Sequence, residues 1–161
     1  MYVLDANIFI QSNRSHYGLD IAPGFWDWID RGHRDQVLLS IGPVGSEIAA
    51  GHDDLTTWAA SRRNIFAPMD GACAGSLALL ANWVVRAPVG FTQAAQNVFL
   101  DSADYQLIAY AHAHSHTVVT YERSAPDSKK RVKIPDACLA VGVPCIDPFT
   151  MMRNETVQLR L

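Results

Sequence analysis

The sequence predicts an α/β protein with a mostly parallel central sheet flanked by helices, and three observations carry that expectation. Short apolar runs rich in Val, Ile and Leu alternate along the chain with segments whose apolar residues recur at helical spacing. Turn and helix-start residues separate the two kinds of segment. At 161 residues the chain has the size of a single domain, 1–161, and is long enough to bury a core without disulfide or metal staples.

The first strand is "YVL" from Tyr2. "PGFWDWIDRG" follows as a helix, with Pro23 at its start, Phe25, Trp28 and Ile29 on one stripe, and Gly32 where a C-terminal cap belongs. "VLLSI" from Val37 is the second strand, followed by a helix that contains Glu47. Asp53 and Asp54 are helix-start acids before "LTTWAA". "GSLALLANWVVRA" and "TQAAQNVFL" are further helices, the latter with Thr92 as N-cap, and "ADYQLIAYAHAH" comes directly after. "TVVT" from Thr117 is a strand, and "RSAPDSKKRVK" from Arg123 is a polar loop. "IPDACLAVG" is a helix with Pro135 and Asp136 in its first turn and Gly142 past its end, and "VPCI" from Val143 is the last strand. Strands alternating with helices imply a parallel sheet covered on both faces.

Bulk properties narrow the function. A net charge of -3 provides no global basic field, which argues against a protein that coats DNA and leaves room for a local basic groove. Cys73, Cys138 and Cys145 are odd in number and show no Cys/His ligand spacing, so they read as small buried thiols in a reducing cytosol. The sequence shows no signal peptide and no membrane span, since "SLALLANWVV" is too short and is stopped by Arg86. A cytoplasmic protein without membrane contact is expected.

In an open α/β sheet, ligands bind beyond the carboxyl ends of the strands. Four carboxylates belong to that edge. Asp5 ends "YVL", Glu47 lies in the helix after "VLLSI", Glu122 follows "TVVT", and Asp104 opens the helix leading into that strand. Asp104 shares a helical face with Ile108 and Ala111, and Glu47 stands beside Val44 and Ile48, so both are expected to turn inward. Taken singly, each acid is as well explained as a cap, a turn former or a surface charge. Together they would repel one another unless a cation neutralised them. All-oxygen ligands suit one or two Mg²⁺ or Mn²⁺ ions.

"YVLDANIFI", "SEIAAG", "SADYQLIAYAHAH" and "TVVTYE" resemble the ordered acidic motifs of PIN-domain nucleases. "PGFWDWI" and "KIPDAC" resemble a PIN-like subfamily long labelled only as of unknown function. The resemblance implies a PIN-like three-layer fold and a metal-dependent endoribonuclease, most often the toxin of a VapC-like toxin–antitoxin pair. It implies Asp5, Glu47 and Asp104 as the central acidic triad, Glu122 as the fourth acid, and Asn7 and Thr120 as supporting polar groups. Glu122 departs from the usual Asp by one methylene. RNA is the implied substrate, an antitoxin the implied partner, and a homodimer the implied assembly.

Other residues invite competing readings. His112 and His116 are four apart while His114 points elsewhere, which favours a solvated helix end over a metal site. Phe25, Trp26 and Trp28 read as core or interface before base-stacking groups. Lys129, Lys130, Arg131 and Lys133 form a charge run that could also contact RNA phosphates. Two rival functions stand beside the nuclease. A haloacid-dehalogenase-type phosphatase would need a second Asp where Asn7 stands, and a non-catalytic PIN-like module would keep the acids for binding RNA or a protein.

Overall fold

Val3 and Leu4 are wholly buried, and the strand they form, β1 (Tyr2–Leu4), lies at the centre of a five-stranded sheet. The computed structural model describes residues 1–159. From β1 the chain steps outward to β2 (Leu38–Ile41) and β3 (Phe66–Ala67), then returns to the other side as β4 (Thr117–Val119) and β5 (Cys145–Ile146). The order is β3-β2-β1-β4-β5, with every pair parallel. Tyr2 and Val3 pair with Leu38 and Leu39 on one side, and Tyr2 to Leu4 pair with Thr117 to Val119 on the other. Strands covered on both faces need apolar residues throughout, which is why these runs read as continuous rather than alternating. The connections diverge between β1 and β4. That reversal opens a crevice at the carboxyl ends of these two strands.

The helices are α1 (Ala6–Gln11), α2 (Pro23–Arg34), α3 (Gly42–Ala49), α4 (Asp54–Ala60), α5 (Cys73–Arg86), α6 (Gln93–Leu100), α7 (Ala103–Ala113), α8 (Ile134–Val141) and α9 (Pro148–Asn154). Local chemistry starts several of them. The side chains of Asp53, Thr92, Ser102 and Asp147 accept hydrogen bonds from the third residue beyond, at 2.9–3.3 Å. Gly142, with φ 75°, ends α8 in the left-handed conformation. α7 packs against α3, α5 and α8, so its first turn is held rigidly beside the crevice. Among the described residues, no helix is long and apolar enough to cross a membrane.

Phe25, Trp26 and Trp28 are buried, as expected of core residues. Tyr17 stacks on Phe25 with centroids 4.5 Å apart, and Trp26 meets Trp58 edge-on at 4.8 Å. Gly32 has a different role from the one its sequence position suggested. α2 runs on to Arg34, the left-handed turn falls on Gln36 (φ 58°), and Gly32 lets the helix close on β2. A methyl on Gly32 would lie 2.8 Å from Leu38 Cδ2. Overpacking of about 1–3 kcal/mol outweighs the roughly 1 kcal/mol that Ala gains over Gly in a helix.

Several elements differ from the sequence expectation, which does not include the short helices α1 and α9 or the 3-10 turn at Arg63–Ile65. β3 has two residues and no periodicity to reveal it. Ser12–His16 forms a π-helical turn after α1. β5 begins at Cys145, because Pro144 has no N–H for the ladder, although its carbonyl still accepts from Val118 N at 2.8 Å.

Candidate active site

The chain leaves β1 at Asp5 and enters α1 at once, so Asp5 stands where an N-cap would be. Its carboxylate makes no capping hydrogen bond. Instead Oδ2 accepts from Thr120 Oγ1 at 2.8 Å across the β1–β4 crevice, and Asp5 is 1% exposed. Burial, and then the charge of Asp104, raise its pKa to about 7. The Thr120 hydrogen bond opposes the rise, Glu122 adds to it, and the Asn7 backbone N–H opposes it slightly. Asn7 acts through its main chain, since its side chain is exposed.

Asp104 occupies the first turn of α7, where Ser102 already caps the helix. Its carboxyl is therefore not needed for capping. Burial, then Glu122 and Glu47, push it up to about 6, while Arg131 and Lys133 pull it down. Glu47 is exposed, not turned inward beside Val44 and Ile48. Those two define the buried stripe of α3 and Glu47 lies on its rim, yet its charge still reaches Asp104.

Glu122 has a side chain only 8% exposed, and both its oxygens are engaged. Oε1 accepts from Arg131 at 3.1 Å and Lys133 at 3.2 Å, and Oε2 accepts from the Ile134 N–H at the start of α8 at 2.9 Å. The Glu122 N–H in turn donates to Thr120 Oγ1 at 3.0 Å. Asp136 braces the same loop by accepting from Ser124 and from the Ala125 N–H. Of the four basic loop residues, Lys129 and Lys130 are exposed and make no ion pair among the described residues, whereas Arg131 and Lys133 are held by Glu122. A groove of about 380 Å³ lined by Val98, Phe99, Ser102, Asp104, Lys130 and Arg131 opens here.

The two central acids fit a divalent cation, because burial first and neighbouring carboxylates second (Asp104 and Glu122 at Asp5, Glu122 and Glu47 at Asp104) disfavour their charged forms unless a cation compensates. The set is not drawn tight. Among the described residues, no three of these carboxylates bring oxygens within 4.8 Å of one another.

Residues 2–159 match the family described as Domain of unknown function (DUF4411). The chain belongs to that family. No curated protein sequence matches this DUF4411 chain. A solved structure similar to it is "Structure of FitAB bound to IR36 DNA fragment", 15% identical over 92% of this chain and 96% of that one, with a TM-score of 0.57. At that identity the likeness is one of fold. The mostly parallel sheet with flanking helices is the α/β, PIN-like arrangement that the motifs implied.

Sequence reasoning passed over a second constellation in the DUF4411 chain. Asp70, Cys73 and His114 bring a carboxylate oxygen, a thiol sulfur and an imidazole nitrogen within 4.8 Å of one another. His114 ends α7 as its C-cap, while His112 is tied up by Ser76, its Nδ1 lying 2.8 Å from Oγ. No local spacing signals the cluster, because 40 residues lie between Cys73 and His114.

Proposed function

We propose that this DUF4411 chain is a single PIN-like domain, residues 1–161, that hydrolyses RNA phosphodiester bonds as a Mg²⁺- or Mn²⁺-dependent endoribonuclease, the toxin of a cytoplasmic toxin–antitoxin pair. The observation that carries the reading is the pair of carboxyls with raised pKa, Asp5 and Asp104, at the topological switch point. Asp5, Asp104 and, from the rim, Glu47 would hold one or two ions. A bound ion supplies an acidified water and stabilises charge on the leaving oxygen.

The chain's own groups do the remaining work. Thr120 fixes the Asp5 carboxylate in the crevice through one hydrogen bond. Glu122 holds Arg131 and Lys133 beside Asp104, and the groove there offers basic groups to phosphates and the exposed Val98 side chain to a base. Lys129 and Lys130 extend that basic edge. A homodimer, implied by the motif resemblance alone, and an antitoxin partner, supported by that resemblance and by the fold-level likeness to FitAB, which was solved on DNA, complete the reading.

The test is cleavage of total cellular RNA by purified protein with Mg²⁺ or Mn²⁺, with ends mapped. Asp5→Asn is expected to lose at least about 10³-fold in rate, and EDTA to abolish cleavage. Undiminished cleavage by a clean, folded Asp5→Asn preparation would overturn the assignment. A second reading, a non-catalytic PIN-like module that binds RNA or a protein, is favoured by the engagement of both Glu122 oxygens with cations and the α8 N-terminus. Metal-dependent turnover separates the two.

A further inference from the structure

α7 carries chemistry at both ends. Ten residues beyond Asp104, about 15 Å along the helix axis, His114 faces Asp70 and Cys73. Asp70 Oδ2 lies 3.1 Å from His114 Nε2, and Asp70 Oδ1 accepts from the Cys73 thiol at 3.4 Å. Cys73 is 1% exposed. The Nε2 atom is sealed from solvent, and among the described residues it makes no hydrogen bond, because its approach to Asp70 is close but not aligned for one. Its close neighbour is the half-exposed Asp70 carboxylate, and a nitrogen sealed from solvent without an aligned partner invites one. Here it converges with a carboxylate and a thiol, the mixture of hard and soft donors that a zinc-class ion accepts.

We propose that Asp70, Cys73 and His114 form a binding site for Zn²⁺ or a similar first-row divalent ion, with the fourth coordination position left to water. Ligands about 2.0–2.3 Å from a tetrahedral zinc are roughly 3.3–3.7 Å apart, so the site closes with shifts of about 1 Å or less from the observed spread. Binding displaces the thiol proton of Cys73 to solvent and uses the lone pair of neutral His114 Nε2, whose ring proton then resides on Nδ1. Two anionic ligands balance the dication, and no redox change is involved. The helix ends assist. Burial and the Asp70 carboxylate hold the Cys73 thiol above its ordinary range, a cost that its place at the first residue of α5 partly offsets, and His114 stands at the C-terminus of α7, where a cation is favoured.

The ion would fasten the turn after β3 to the end of α7. The neighbouring α5–α7 contacts are the Ser76–His112 pair and the bond from Tyr105 Oη to Leu77 O at 2.7 Å. Magnesium does not compete for such a set, because a thiolate is a poor ligand for it. This site is therefore independent of the acids around Asp5.

The experiment uses tag-free full-length protein, stripped with a chelator and titrated with Co²⁺ and then Zn²⁺. One equivalent of Co²⁺ should give a tetrahedral spectrum with a thiolate-to-cobalt charge-transfer band, which Zn²⁺ then abolishes. Excess Zn²⁺ should raise the melting temperature by about 5 °C or more. Cys73→Ser should remove the band, and His114→Ala should weaken binding by about 100-fold. Cys145→Ser should keep the band, and so should Asp5→Asn, which separates this site from the nuclease reading. A band that survives Cys73→Ser, or cobalt bound without thiolate character, overturns the proposal. Should Cys73→Ser fail to fold, His114→Ala and Asp70→Asn decide the matter, and unchanged binding in both overturns it.

Discussion

The two ends of α7 assemble donor groups by different routes. At the first turn, Asp104 comes near enough for its charge to act on Asp5 because both lie where strands and helices exchange at the sheet's carboxyl edge, a position dictated by topology. At the last turn, His114 meets Cys73 and Asp70 because α5 packs across α7, a consequence of tertiary contact alone. The first cluster is all oxygen and mutually repulsive, and the second is mixed and nearly charge-compensated. Like charges that must wait for a cation mark the first as a place for changeable occupancy, whereas donors already drawn close mark the second as a fastener.

The largest effect that can break this contrast is on activity. Asp104→Asn should lower RNA cleavage by about 10³-fold or more, while Asp101→Asn, an exposed acid three residues earlier, should leave the rate unchanged. Equal losses in both would mean that proximity to α7, not ligation, is what matters.

Next in size is a pH effect on metal-free protein. The folded chain holds the Asp5 proton up to about pH 7, whereas the unfolded chain releases it near 3.8. The native state thus binds more protons across that window, and stability falls as pH rises through it. The contribution is whole below about pH 4 and lost above about pH 7, of order 4 kcal/mol for a shift of this size. Thermal melts in EDTA should show a decline of roughly 10 °C between pH 4.5 and 8 that is flattened in Asp5→Asn. A flat wild-type profile would show that the acids are not crowded.

Smaller still is the gain on adding metal. Mn²⁺ at a hundred times its dissociation constant should stabilise the wild type by about 2.7 kcal/mol, and Asp5→Asn far less, by melts at pH 7.5. An equal response would place the bound ion elsewhere. The smallest effect concerns the basic edge. Replacing Lys129 and Lys130 with Gln should reduce the salt dependence of RNA binding by a slope of about one to two without moving the cleavage position. An unchanged slope would return both to ordinary solvated residues.

Legibility in the sequence followed the same division. Asp5 and Asp104 could be found because an acid directly after a buried strand, or facing inward with Ile108 and Ala111, contradicts its own surroundings. Glu47 was placed by helical spacing one step from the true boundary of the buried stripe, and it emerges on the solvent side. The Glu122 clamp on Arg131, Lys133 and α8 was hidden, since loop conformation between residues 122 and 134 follows no period. Cys73 and His114 were set aside for the same reason, as their meeting depends on a helix crossing that no local pattern encodes. Four of the strand runs and most helix starts were readable because caps, prolines and apolar runs act within a few residues, whereas the strand order depends on long-range packing.

The hydroxyl of Thr120 has a single proton and two neighbours. The Glu122 N–H donates to it at 3.0 Å, so its own proton is directed to Asp5 Oδ2 at 2.8 Å. Main chain after β4 thereby sets the polarity of a three-member relay that ends on the acid. Oδ2 of Asp5 is thereby held as an acceptor, and a proton that the acid keeps is favoured on Oδ1. With its pKa raised to about 7, the metal-free acid can present incoming groups with either a carboxylic O–H donor or an anion. A cation that enters must evict a proton from one favoured atom, so its apparent affinity should climb with pH until the acid is fully ionised.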